Sequence, residues 1–172
     1  MQIRQEHPAD YREVYELVKT SFATSPDADG TEADYLNDIR KKDTFIPRLS
    51  LVAEHESGKL VGQVVLYKTN IATPSKTITE LVLSPICVHP DYFRRGIARA
   101  LMERAFALAK DLGYTAVFLC GDPQFYHKVG FAPTYKHGIY HATDTEKNAE
   151  WCMVRELVCG ALKGIGGVVD IV

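Results

Sequence analysis

The residues best placed to do chemistry lie at one strand-to-helix junction. Ile86-Cys87-Val88-His89-Pro90-Asp91-Tyr92-Phe93-Arg94-Arg95-Gly96-Ile97-Ala98-Arg99 reads as the end of a strand, a loop with paired arginines, and a helix starting on Gly96-Ile97-Ala98. Such a junction can cradle phosphate: the unpaired N–H groups of a first helical turn point outward, the helix dipole favours negative charge there, and small residues let an oxygen approach the main chain. Arg94, Arg95 and Arg99 add cations in a chain whose 20 Lys and Arg stand against 22 Asp and Glu, a net charge of -2. With no overall field to draw it to nucleic acid or an anionic membrane, neither is an expected partner, and any anion site must be local. The alternative reading is that Gly96 only turns the chain and the arginines face solvent. G-x-x-x-x-G-K-[ST] and G-x-G-x-x-G are both absent at this junction, which weighs against a nucleoside triphosphatase or a dinucleotide enzyme.

A second segment, Gly121-Asp122-Pro123-Gln124-Phe125-Tyr126-His127-Lys128-Val129-Gly130-Phe131, follows the next strand. Together the two segments resemble the GNAT superfamily of acyl-CoA-dependent N-acyltransferases. The cradle of that family reads Val-x-Pro-x-x-[Gln/Arg]-x-x-Gly-x-[Gly/Ala], and its later helix ends Tyr-x-x-x-Gly-Phe. Here these are Val88 to Ala98 and Tyr126 to Phe131. The resemblance runs from about Leu49 to Phe131, and Gly121-Asp122-Pro123 with the strand Met153 to Leu157 is similar to the YhbS-like subgroup. Phe93 departs from the pattern, standing where the family has Gln or Arg; Arg94 or Arg95 can substitute.

The resemblance implies an acetyl-CoA-dependent N-acetyltransferase. It would move an acetyl group to a primary amine, on a small molecule or a peptide, by direct transfer in a ternary complex. Coenzyme A would enter as co-substrate and no metal would be needed. Ile86, Cys87 and Val88 would align the pantetheine arm, the segment Phe93, Arg94, Arg95, Gly96, Ile97, Ala98 and Arg99 would take the pyrophosphate, and the Val88 N–H would face the thioester carbonyl. Tyr126 matches the usual acid of the family; a phenol with a reference pKa near ~10 stays protonated at neutral pH. Glu80 is the one carboxylate the strand before the cradle offers as a base, against the reading that it is a solvated strand-end charge, and Ser84 stands where relatives often carry an acid. Two rivals remain: a non-catalytic acyl-CoA-binding sensor or interaction module on the same fold, and a binder of a different nucleotide.

The elements that must position these groups can be read from periodicity. A strand near Ile3 precedes a helix carrying Val14, Leu17 and Val18 on one face, and Thr31 with Asp34 marks a second helix through Ile39. Leu51 to Glu54 and Leu60 to Tyr67 form a hairpin, a third strand runs from Ile78 to Val88, and Ile97, Leu101, Ala105, Leu108 and Leu112 stripe a helix that Gly113 ends. Strand 115–120, a short helix 123–129 and strand 151–158 complete an α/β arrangement with a mixed sheet. The expectation is a single GNAT-like domain, 1–172, whose central strands are splayed and flanked by helices, with Pro85 marking the parting point or a simple bulge. The four cysteines show no zinc or disulfide spacing; Cys87 and Cys120 read as core residues. His137 and His141, four apart in a polar loop, suggest no metal site. Lys163-Gly164-Ile165-Gly166-Gly167 reads as a flexible turn, and the tail from Gly166 either pairs across a homodimer or finishes the chain's own sheet. No segment has signal-peptide or membrane-span character, so a cytoplasmic protein is expected. Asp27, Asp29, Glu32 and Asp34 form either an amine-attracting cluster or solvated surface.

Overall fold

The computed structural model describes every residue except Asp27 and Val172. Its elements run β1 (Gln2–Gln5), α1 (Tyr11–Phe22), α2 (Glu32–Ile39), β2 (Phe45–Glu54), β3 (Leu60–Ala72), β4 (Thr77–Val88), α3 (Ile97–Asp111), β5 (Ala116–Cys120), α4 (Pro123–Tyr126), β6 (Ala132–Pro133), β7 (Ile139–His141), β8 (Cys152–Glu156) and β9 (Gly167–Val169). This is the mixed α/β architecture expected. The chain divides into two compact units: residues 1–67 with 84–108, and residues 68–83 with 109–172.

In the first unit β1, β2 and β3 form an antiparallel ladder, Arg4 opposite Val52 and Val52 opposite Gln63. Helix α1 buries Val14, Leu17, Val18 and Ser21, the spacing of one face, and Glu13 fastens it to the sheet by accepting from the Leu60 N–H at 2.8 Å. Helix α2 is held by a buried ion pair between Arg40 and Glu6, the latter also accepting from Ser50 Oγ at 2.7 Å. Thr31 stands at the N-cap of α2, the helix start that Thr31 with Asp34 marks in the sequence. Its side chain makes no capping bond; Asp29 instead accepts from the Thr31 N–H and hydroxyl, and Glu32 accepts from the Asp29 N–H. Asp34 accepts from Tyr15 at 3.0 Å. The described acids of that loop are therefore tied to local donors, while Asp27 lies outside the described residues.

Helix α3 buries Ile97, Leu101, Met102, Ala105, Phe106 and Ala109, whereas Leu108 and Leu112 of the expected stripe are only half-buried. The stripe drifts because each i+4 step along Ile97, Leu101, Ala105 and Ala109 overshoots a full turn by about 40°, which leaves Leu108 and Leu112 behind the buried line. A glycine at 62 makes this packing close: a Cβ there would lie 2.9 Å from Leu101 Cδ1 and 3.0 Å from Ile97 Cγ2. Gly113, at φ +94°, ends the helix as its pattern requires.

In the second unit β4 pairs in parallel with β5 at Leu81–Val117 and Val82–Phe118, and β5 pairs antiparallel with β8 along its whole length. Ser84 and cis-Pro85 follow that parallel pair on β4. Three short strands escaped the sequence reading. β6 joins β8, β7 lies parallel to β9, and β9 pairs antiparallel with Ile71 and Ala72 of β3. Of the two readings of the tail, it is the chain's own sheet that Gly167–Val169 finishes, so Gly167 belongs to a strand and not to a flexible turn. Gly167 has little freedom to change, since a Cβ there would meet the Ala72 carbonyl oxygen at 2.6 Å.

Candidate functional site

The cradle lies wholly in the first unit. β4 ends on Val88, and the His89 N–H donates to the Val61 carbonyl at 2.8 Å, fixing where the strand gives way to loop. Pro90–Tyr92 makes one 3₁₀ turn, capped by His89 Nδ1 accepting from the Asp91 N–H at 3.3 Å, with the Tyr92 ring edge-on to His55 and His89. Arg94 has φ +60°, a left-handed conformation that costs a side-chain-bearing residue roughly 1–2 kcal/mol. Gly96 follows at φ +77°, and its carbonyl accepts from the Ala100 N–H at 3.0 Å, the first bond of α3.

Two positive-φ residues within three positions turn the loop sharply into the helix, whose first turn starts at Ile97. No heavy atom lies within 4 Å of where a Gly96 Cβ would stand, and the first turn carries no acid to compete for its positive end. Arg95 folds back, donating to the Asp91 carbonyl at 3.1 Å with its guanidinium 5.0 Å from the Tyr92 ring. It braces the loop. Phe93 is half exposed, and Ile86, Cys87 and Val88 form the strand end behind it.

Cys87 and Gln63 share the interior of this unit. The Cys87 thiol is pushed up to about 12 by burial, partly opposed by hydrogen bonds with Ser21 and the Gln63 backbone. At neutral pH it is a protonated core residue, as its apolar setting suggested. Gln63 gave no signal in the sequence, being one polar residue in an apolar run. Its amide is fully buried, and neither Oε1 nor Nε2 has a partner among the described residues.

Tyr126 and Glu80 belong to the second unit. The Tyr-x-x-x-Gly-Phe pattern has a local physical meaning. Asp122 caps α4 by accepting from the Gln124 N–H at 2.9 Å, Pro123 takes the first helical position, and a 3₁₀ turn over His127–Val129 ends at Gly130, φ +88°. The Phe131 N–H then reaches back to the Tyr126 carbonyl at 3.1 Å and the Gly130 N–H to the His127 carbonyl at 3.2 Å, the paired bonds of a Schellman motif. Phe131 is buried with its ring 5.6 Å from that of Tyr126, the apolar contact which accompanies the motif. Arg155 completes the end by donating to the Val129 carbonyl at 3.0 Å. The Tyr126 ring also lies against Gly121, where a Cβ would collide with its Cε2. Burial and the Asp122 carboxylate push the phenol up to about 12.

Glu80 is not a solvated charge. It is 6% exposed, with Oε2 accepting from the Thr115 and Ala116 N–H groups at 3.0 Å each and Oε1 from the Thr115 hydroxyl at 2.5 Å. The carboxylate clamps the start of β5 to β4, an arrangement invisible in sequence because 35 residues separate the partners. His141 sits on β7, buried, with Nε2 2.7 Å from the Ile171 carbonyl, while His137 ends a 3₁₀ turn. Among the described residues no three His, Cys, Asp or Glu side chains group as metal ligands, and no helix is long and apolar enough to cross a membrane.

Comparison with known proteins places these features in context. Residues 2–134 match the family model described as an acetyltransferase (GNAT) domain. The chain is similar to the YhbS GNAT family N-acetyltransferase of Escherichia coli, solved in complex with CoA, at 27% identity and TM-score 0.85, covering 99% of this chain and 89% of that one. A GNAT family acetyltransferase of Brucella melitensis, in complex with acetyl-CoA, shares the fold at 21% identity and TM-score 0.77, over 99% of this chain and 95% of that one. YjhQ of Escherichia coli K12, an N-acetyltransferase by name, is 26% identical over 125 residues, 73% of this chain and 66% of its own length.

Proposed function

This chain belongs to the GNAT acetyltransferase family, and from that premise we propose that residues 1–172 act as one acetyltransferase domain that uses acetyl-CoA to acetylate a primary amine. The observation that carries this reading is the open turn at Gly96, where an added Cβ would meet nothing within 4 Å, set at the head of α3 with arginines on either side. A diphosphate fits such a turn: it is small, doubly charged and bound by main-chain donors. The CoA and acetyl-CoA complexes of the two similar structures support the same choice.

In this reading Gly96, Ile97 and Ala98 offer main-chain donors to the pyrophosphate, Arg94 and Arg99 add charge, and Arg95 holds the loop in shape. Ile86, Cys87 and Val88 present the strand backbone along which the thioester arm is aligned. The exposed Phe93 offers an apolar face where the family pattern has a polar one. The amine attacks the thioester carbonyl carbon, the carbon–sulfur bond breaks, and the proton released from the nitrogen balances the thiolate that leaves. With its pKa near 12 the Tyr126 phenol stays protonated throughout the physiological range. It holds its proton more tightly than a thiol with an ordinary pKa near ~8.5, so its role is a hydrogen bond to sulfur that strengthens as charge develops. Full donation of the proton, the expectation from the family pattern, is uphill for such a phenol. Glu80, occupied by three donors, is assigned to holding β5 and not to taking a proton, and the amine arrives neutral from solution.

The test is Tyr126→Phe, assayed by thiol release from acetyl-CoA against a panel of polyamines, amino acids, aminoglycosides and peptide N-termini. Turnover falls about 10²-fold, as for loss of one preorganised donor, with acetyl-CoA binding unchanged. Tight acetyl-CoA binding with no turnover by the parent protein on any amine selects instead the non-catalytic acyl-CoA sensor, a reading which the occupied Glu80 carboxylate favours.

A further inference from the structure

The second unit contains a polar sulfur cluster that the proposed chemistry does not use. Cys120 ends β5 and Cys152 begins β8, directly opposite each other in the antiparallel ladder. The Gly121 N–H donates to the Trp151 carbonyl at 2.9 Å, just beyond the pair, so Cys120 and Cys152 occupy a position of the ladder where the two residues do not bond each other's backbone. At such positions the Cα atoms stand about 4.5 Å apart and the side chains are closest. That spacing lies within the roughly 4.4–6.8 Å range that a disulfide spans. Directly opposed residues of an antiparallel pair share a face of the sheet, so the two sulfurs stand side by side.

The surroundings favour reaction at one of the two sulfurs. Of the two, Cys152 is the sulfur held below an ordinary thiol, first by the neighbouring Cys120 and then by Thr134 and the nearby His141, while the same neighbour pushes the Cys120 thiol up. Thr134 and His141 are both buried polar groups, so this corner of an otherwise apolar core sets polar side chains near the Cys152 sulfur. Cys120 is partly exposed, which gives a small oxidant a way in. It also precedes Gly121, the residue on which the Tyr126 ring rests.

We propose that Cys120 and Cys152 form an oxidisable dithiol, a modification site that closes to a cross-strand disulfide under peroxide and thereby disturbs the seat of Tyr126. The Cys152 thiolate attacks one peroxide oxygen, the O–O bond breaks and hydroxide leaves, giving a sulfenic acid. The Cys120 sulfur then attacks the Cys152 sulfur, the S–O bond breaks, and the departing hydroxide takes the Cys120 proton as water. Two thiols lose two electrons and one peroxide becomes two waters. Closing the bond replaces two free side chains by one of fixed S–S geometry at the end of β5, and the backbone adjustment this demands is passed to the adjoining Gly121. The effect on turnover rests on the role proposed for Tyr126; bond formation does not.

The experiment treats the Cys159→Ser protein, which lacks the one exposed cysteine, with hydrogen peroxide. It then maps cysteine-linked peptides by mass spectrometry and measures turnover in parallel. The expected result is a peptide joining Cys120 to Cys152 that dithiothreitol reverses, with a loss of turnover of roughly 10-fold or more. The same treatment of Cys120→Ser in that background should yield no linked peptide and no reversible loss. Absence of the Cys120–Cys152 link, or linkage through Cys87 instead, overturns the proposal. A link formed with turnover unchanged overturns its regulatory half, and if Tyr126→Phe also leaves turnover unchanged, the fault lies in the Tyr126 assignment.

Discussion

Replacing Glu80 by Gln separates a structural carboxylate from a catalytic one. The side chain keeps its size, but the three donors now face a neutral amide. The two backbone N–H groups of Thr115 and Ala116 can keep an oxygen acceptor, while the Thr115 hydroxyl must reverse and accept from the new NH₂. Hydrogen bonds to a charged group contribute about 1.5–3 kcal/mol against roughly 0.5–1.5 for neutral ones, so three weakened bonds amount to about 3 kcal/mol. Removing a buried charge returns part of that, leaving a net loss of about 1–3 kcal/mol. For a chain of this size each kcal/mol moves the melting temperature by about 2–4 °C, so Glu80→Gln should melt roughly 2–12 °C lower. Thermal unfolding gives that shift, and kcat at 20 °C, well below the transition, should stay within about two-fold of the parent value. A general base, by contrast, carries roughly 10²–10⁴ in rate. A Gln variant with parental stability and a hundred-fold lower kcat would refute the clamp and return Glu80 to the mechanism.

Gly121→Ala should drive the Tyr126 ring from its seat, and steady-state kinetics should show turnover down roughly 10-fold or more with acetyl-CoA affinity, measured by calorimetry, retained. Gln63→Met removes an orphaned buried amide while conserving volume, so the urea midpoint should rise, by about 1 kcal/mol in stability; a fall would mean that the amide has a partner. Asp10, whose carboxyl is held below its ordinary range chiefly by the Arg4 guanidinium, stabilises the fold above the unfolded carboxylate pKa. That contribution disappears as pH falls through the lower folded value. The stability difference between the parent and Asp10→Asn, read from urea curves, should therefore be present at pH 7 and shrink as the pH is taken down through and below the ordinary carboxylate range.

What the sequence revealed depended on range. Gly96, Gly113 and Gly130 declared themselves because positive φ is written into a single residue type. The periodicity of α1 and the alternation of β2 and β3 were equally local. Arg94 adopts a positive φ with no such marker, and nothing in its neighbours announces it. The Glu80 clamp, the Arg40–Glu6 pair and the opposed Cys120 and Cys152 join residues 30 or more positions apart, so they exist only once the ladder register is set. β6, β7 and β9 are two or three residues long, too short to show alternation, and are defined by partners on other strands. The Tyr126 pattern was recognised by resemblance, yet its content is a helix ending that composition alone spells out: Asp-Pro to begin and Gly-Phe to close.

The path of the chain limits how this fold can be cut or recombined. Strands β3 and β4 each begin in one compact unit and finish in the other, and helix α3 does the same, so the backbone passes between the units three times. A single crossover with a relative, wherever it falls between the two ends, divides at least one unit between the parents. Grafting a new acceptor specificity onto this scaffold therefore calls for exchanging loops between fixed strands, because no contiguous stretch of the chain carries either unit whole.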